Sequence, residues 1–148
     1  MSPVPLVALL VLGCTASAQT DARILYAIGQ VEGGERLQVG DSGEALGLYQ
    51  MHPAAWADGN AQLAKERKPA YPRSTWRSPL AQDLVAFAYL RALRGRLTAR
   101  GIPSPSPECL ALCWNLGFAG AEAIGFRLSA APPARASYAR RVGNLVRQ

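Results

Sequence analysis

Apolar residues recur at steps of three and four along most of this chain, the spacing of one face of an α-helix. Ile24, Ile28 and Val31, with Leu25 alongside, mark a first helix that Asp21 would N-cap and that Gly33 and Gly34, which accept left-handed backbone, would end. Residues 35 to 47 alternate only weakly and are interrupted by Gly40, Gly43 and Gly47. A short β-hairpin or irregular loop is expected there, turning at Gly40-Asp41-Ser42-Gly43. Pro53 suits the first turn of a second helix, which passes Trp56 and, after a break at Gly59, continues from Leu63 to Arg67. Prolines 69 and 72 make residues 68 to 77 a loop. Ser78 and Pro79 then open the longest helix, which runs to about Arg100 with Leu80, Leu84, Phe87, Leu90, Leu93 and Leu97 inward, and Gly101 closes it. Beyond the rigid loop of Pro103, Pro105 and Pro107 come a helix from Glu108 to Trp114 and a small-residue helix over 120–129. Pro132 and Pro133 break the chain before a last helix with Tyr138, Val142 and Leu145 inward and Arg135, Arg140, Arg141 and Arg147 outward. The pattern predicts a mainly α fold with one small β or irregular segment after the first helix.

A chain of 148 residues with 49% hydrophobic and 18% charged content has the composition of one globular domain, long enough for a core that needs no disulfides. Its start carries an export signal: seven apolar residues from Leu6 to Leu12, then Ala16-Ser17-Ala18 as a small-x-small cleavage site before Gln19. The apolar run is too short to span a bilayer, although Met1 to Pro5 lacks the usual Lys or Arg. Residues 1–18 are therefore expected to be removed, leaving 19–148 as the domain of a secreted or periplasmic protein. Val11-Leu12-Gly13-Cys14 offers a second processing route, a lipoprotein box with Cys14 as the lipidated residue; without lipidation no stable membrane insertion is expected. The net charge of +6 survives removal of the leader and favours a polyanionic partner. The basic residues are scattered and no nucleic-acid motif accompanies them, so nucleic acid is not the expected partner; a bacterial wall with its carboxylates and phosphates fits better. Cys109 and Cys113, four apart, are poorly placed for a disulfide and read as small buried hydrophobes, and His52 has no partner motif beside it. Neither a metal nor a cofactor is expected.

Chemistry concentrates between Ile28 and Met51. Glu32 lies in the last turn of the first helix, where the dipole disfavours a negative charge and packing tends to bury the group. Both effects raise a carboxyl pKa, which a general acid working near neutrality requires. Asp41 in the following turn is the candidate second carboxylate. It could equally be a turn former, and Glu44 is a rival for the role. The string Gly47-Leu48-Tyr49-Gln50-Met51 follows. Gln50 and Asn115 suit hydrogen bonding to a ligand or stitching of backbone, and Tyr49 suits a ligand platform or the core. Trp56 and Trp76 could stack on a ligand, with core packing the better reading of Trp56.

These strings resemble motifs of the lysozyme-like superfamily. In soluble lytic transglycosylases and goose-type lysozymes the catalytic Glu ends a helix in a Glu-Ser-Gly string, which Glu32-Gly33-Gly34 resembles. A Gly-Leu-Met-Gln-Ile string follows there, similar to Gly47 to Met51, and a later Tyr-Asn-x-Gly string is similar to Trp114-Asn115-Leu116-Gly117. Their last helix often carries Tyr and Val three or four apart, as Tyr138 and Val142 are. Invertebrate-type lysozymes offer a similar order, which Gln30-Val31-Glu32-Gly33-Gly34, Asp41, Trp56 and Asn115 follow. The resemblance covers about 125 residues, essentially the whole mature domain. It implies a lysozyme-like α+β domain and cleavage of β-1,4 bonds in peptidoglycan, with chitin oligomers sharing the linkage. Glu32 would be the acid, Asp41 the nucleophile or ion stabiliser, and Tyr49, Gln50 and Asn115 the substrate contacts. Without a second carboxylate the substrate's own groups would complete the reaction, giving the anhydro product of a lytic transglycosylase. A glycan-binding wall protein without catalysis is the reading from another class. Gly33 in place of the usual Ser, and Trp114 in place of Tyr, depart from the pattern.

Overall fold

A computed structural model describes residues 20–148; the expected leader 1–18, with Cys14, lies outside the described residues. Helix α1 covers 20–31 and is followed by strands β1 (Val39–Gly40) and β2 (Ala45–Leu46), joined by a 3-10 turn at Asp41–Gly43. The strands pair antiparallel, Val39 opposite Leu46 and Gly40 opposite Ala45. Helices α2 (Pro53–Lys65), α3 (Pro79–Ala99), α4 (Pro107–Leu116), α5 (Phe118–Ala123) and α6 (Pro133–Val146) complete the chain. The mainly α class with one small hairpin is as expected.

Two helix pairs make the frame, α2 against α3 and α4 against α6. Ile24, Leu25 and Ile28 of α1, Leu90, Leu93 and Leu97 of α3, Leu110 and Leu112 of α4 and Val142 of α6 are fully buried between them. Ser78 and Ser106 open α3 and α4 by accepting from the backbone N–H groups of Ala81 (3.2 Å) and Cys109 (3.1 Å), each with Pro next in the chain. Cys109 and Cys113 are free and buried on α4.

Four expectations are corrected. Gly59 does not break α2: the helix is continuous, and the glycine is where it meets α3, since a Cβ there would come 2.6 Å from the Val85 carbonyl oxygen. Asp21 is not a cap; it is buried within α1 and its carboxylate pairs with Arg94 at 2.6 Å. Leu80 and Leu84 are 62% and 36% exposed, whereas Ala81, Gln82, Val85, Ala88 and Tyr89 face inward. Small residues let α2 and α3 approach closely, so packing rather than the leucine spacing sets the face of α3's first half. Finally, the helix over 120–129 stops at Ala123. Gly125 (φ 65°) and Phe126 (φ 56°) turn left-handed before a 3-10 turn at Leu128–Ala130.

Gln82 and Asp83 tie the segment after α1 to this frame. Gln82, 2% exposed, accepts from the Leu48 N–H (3.1 Å) and donates to the carbonyls of Arg36 (2.8 Å) and Trp76 (2.6 Å). Asp83 accepts from both terminal nitrogens of Arg36 (2.7 and 3.1 Å) and from the Tyr49 hydroxyl (2.8 Å). These bonds hold the hairpin beside the end of α1. A buried amide with its polar atoms satisfied fixes a loop more firmly than apolar contact alone, because any displacement strands those groups without water.

Candidate active site

Glu32 is the first residue beyond α1. Its N–H still donates to Ile28 (2.9 Å), while Gly33 (φ 124°) and Gly34 (φ 75°) turn back to donate to the carbonyls of Gln30 (3.2 Å) and Gly29 (2.8 Å). The wrapped end aims the Glu32 carboxyl at the middle of the molecule. There Oε1 accepts from the Tyr138 hydroxyl at 2.7 Å, a contact from α6 across 106 residues of sequence. The group is half-buried, and burial is the main cause that raises its pKa above the ordinary carboxyl value of 4.5. The Tyr138 hydrogen bond opposes the rise, nearby Asp41 adds to it, and His52 and Arg135 pull the other way.

A cavity of about 130 Å³ opens on this carboxyl, lined by Glu32, Asp41, Gln50, His52, Asn115 and Arg135 over Ala45 and Trp114. Asp41 is thus on the same cavity as Glu32, whereas Glu44 is not among its lining residues. The turn that presents Asp41 has three consecutive left-handed residues, Asp41 (φ 48°), Ser42 (φ 55°) and Gly43 (φ 98°). Two of these are not glycine, and a backbone of that kind persists only where its surroundings hold it. Asp41 Oδ2 lies 2.8 Å from His52 Nε2, with the two side chains 68% and 50% exposed.

Gln50 and Asn115 reach the cavity, each already engaged. Gln50, itself left-handed (φ 47°), donates to the carbonyls of Gly47 (2.9 Å) and Gln38 (3.3 Å), and Asn115 Oδ1 accepts from Arg135 Nη1 at 2.9 Å. Tyr49 is elsewhere. Its ring is buried, edge-on to Trp114 at 6.4 Å, and its hydroxyl is spent on Asp83, so the side chain belongs to the core and not to the cavity. Tyr49 lies in the turn after β2, which closes with the Gln50 N–H donating to the Gly47 carbonyl at 3.2 Å. Trp56 is likewise core, its indole N–H donating to the Tyr71 carbonyl at 2.7 Å, and Trp76 is buried under the Arg77 guanidinium.

A larger hollow of about 650 Å³ shares Gln50, His52, Trp114 and Asn115 with the cavity and extends along Ala54, Tyr89 and Phe118 to Arg96 and Arg100. The shared walls make the two one cleft, with the carboxyls at one end. Among the described residues no three His, Cys, Asp or Glu side chains are grouped to hold a metal ion. No described helix is long and apolar enough to cross a membrane.

Residue-by-residue reading did not place Tyr138, Arg135 or His52 at the site. Tyr138 is predicted inward and is so, but toward a carboxyl; its spacing from Val142 was the available signal. Arg135 is predicted outward, and the turn of α6 over α4 brings it onto Asn115. Nothing adjacent to His52 in the sequence pointed to Asp41. In comparisons with known proteins, no family model, no curated protein and no solved structure matches this chain.

Proposed function

We propose that this protein is an exported glycosidase that cleaves β-1,4 bonds between the amino sugars of peptidoglycan, with Glu32 as the general acid and a lysozyme-like arrangement of its helices. The observation that carries the reading is a half-buried carboxyl of raised pKa at the end of an open cleft, with Asp41 on the same cavity. A carboxyl that holds its proton to higher pH than usual can donate it to the glycosidic oxygen while positive charge builds on the anomeric carbon. Asp41, on the same cavity, is the second carboxyl group that chemistry of this kind draws on. Gln50, Asn115 and Arg135 border the place where hydroxyl and acetamido groups would sit, and the hollow past Trp114 gives room for further sugars. The signal-like residues 1–18 and the +6 charge support an enzyme that acts on an anionic wall outside the cytoplasm.

Mass analysis of fragments released from purified peptidoglycan, and from chitin oligomers, tests the reading. Mature protein should release reducing-end fragments and Glu32→Gln should release none. Fragments lighter by one water would make the protein a lytic transglycosylase. Absence of cleavage by folded wild type on either substrate would leave a glycan-binding wall protein.

A further inference from the structure

We propose that Asp41 and His52 form a dyad in which His52 is the base that activates water, with Asp41 orienting it instead of acting as nucleophile. The inference rests on the glycosidase reading above. His52 Nε2 and Asp41 Oδ2 are 2.8 Å apart, and His52 is the only histidine of the chain. A carboxylate accepts, so in the neutral ring this contact assigns the proton to Nε2 and leaves the lone pair on Nδ1. The pair is built rather than incidental: Asp41 stands on a left-handed turn, and two residues before His52 the left-handed Gln50 sends its side chain back to Gly47 and Gln38. Both side chains are at least half exposed and border the cavity of Glu32, so water has access to the dyad. One oxygen of Asp41 is already engaged by His52, which suits orientation better than attack. His52 also lines the larger hollow, and so stands where the two parts of the cleft join.

The step balances without a further reactant. His52 Nδ1 takes a proton from water as the water oxygen bonds to the anomeric carbon. The bond from that carbon to the bridging oxygen breaks, its electron pair goes to the oxygen, and Glu32 supplies the oxygen's proton. One water is consumed, and Glu32 and His52 regain their starting states through solvent. Attack by water from the side opposite the leaving sugar inverts the anomeric centre, so a β-linked strand gives an α product first.

The experiment compares wild type, Glu32→Gln, His52→Gln and His52→Ala on soluble peptidoglycan glycan strands, with proton NMR of the first anomer formed and thermal melts to establish folding. Glutamine keeps an N–H for Asp41 but cannot take a proton, so it separates a structural role from a chemical one. His52→Gln should melt as wild type does, keep KM and lose about 10²–10⁴-fold in kcat. Added imidazole should restore part of the activity of His52→Ala. The wild-type product should appear as the α anomer. A His52→Gln rate within about threefold of wild type, where a positioned base contributes at least about a hundredfold, overturns the dyad. So does a β anomer or an anhydro product from wild type. If wild type cleaves and Glu32→Gln does not, such results remove only the dyad; if wild type cleaves nothing, the glycosidase reading goes with it.

Discussion

Glu32 is held between opposing influences on its proton. Burial raises its pKa, and the Tyr138 hydroxyl, donating at 2.7 Å, stabilises the ionised form and lowers it. Tyr138→Phe removes the lowering contribution and leaves burial less opposed, so the carboxyl should hold its proton to higher pH. As the proposed general acid, Glu32 would work in its protonated form, and activity would be lost as pH rises through its pKa. The basic limb of the kcat/KM profile of Tyr138→Phe should therefore move to higher pH than in wild type. A shift toward lower pH would show that Tyr138 does not stabilise the carboxylate. Glu32, its glycine turn and Asp41 were all legible as local signals, because a carboxyl at a helix end and an Asp between glycines are features of a few consecutive residues. The partner Tyr138 lies 106 residues away, and no local rule reaches it.

At the scale of elements, glycines in two adjacent helices give opposite expectations. Gly59 lies buried at the crossing of α2 and α3, where an added Cβ would meet the Val85 carbonyl oxygen at 2.6 Å and Val85 Cγ1 at 2.7 Å. Alanine would gain about 1 kcal/mol in helix propensity there but force the helices apart, and overpacking of that kind costs about 1–3 kcal/mol. Gly59→Ala should therefore lose up to about 2 kcal/mol, read as a lower urea midpoint at unchanged m. Gly95, exposed on α3 with open space around its Cβ position, should gain about 0.5–1 kcal/mol as alanine. A stabilised Gly59→Ala would mean that α2 and α3 are not held at this approach. The sequence read Gly59 as a breaker because glycine lowers helix propensity in isolation. Its value in the fold is the absence of a side chain at a contact.

The whole molecule responds to acid through ion pairs between elements. Glu66, just past the end of α2, accepts from Arg91 of α3 at 2.7 and 2.6 Å, and these bonds hold its carboxyl down at about 2 against an ordinary 4.5. A depressed carboxyl pKa stabilises the fold above the unfolded value, and that stabilisation is lost as pH falls through the folded one. The contribution of Glu66 should be complete above pH 4.5 and disappear toward pH 2. Glu66→Gln should lower the thermal midpoint at pH 7 and reduce its acid dependence in that window. An unchanged slope of midpoint against pH between 5 and 2 would remove Glu66 from acid unfolding, since linkage makes that slope proportional to the protons taken up.

What the sequence determined by itself is local: the helical class, the end of α1 at Gly33, the start of α3 at Ser78-Pro79 and its end before Gly101, the hairpin after α1, and the carboxyls Glu32 and Asp41. Each rests on periodicity, a cap or a turn residue within a few positions of chain. Tertiary structure decided what depends on distant partners. It put Tyr49 into the core against Asp83 and Trp114, turned Leu80 and Leu84 outward, buried Asp21 against Arg94, and gathered Tyr138, Arg135 and His52 around the carboxyls. The physical reason is that burial and hydrogen bonding between side chains far apart in sequence are properties of the packed arrangement, which no short stretch of the chain contains.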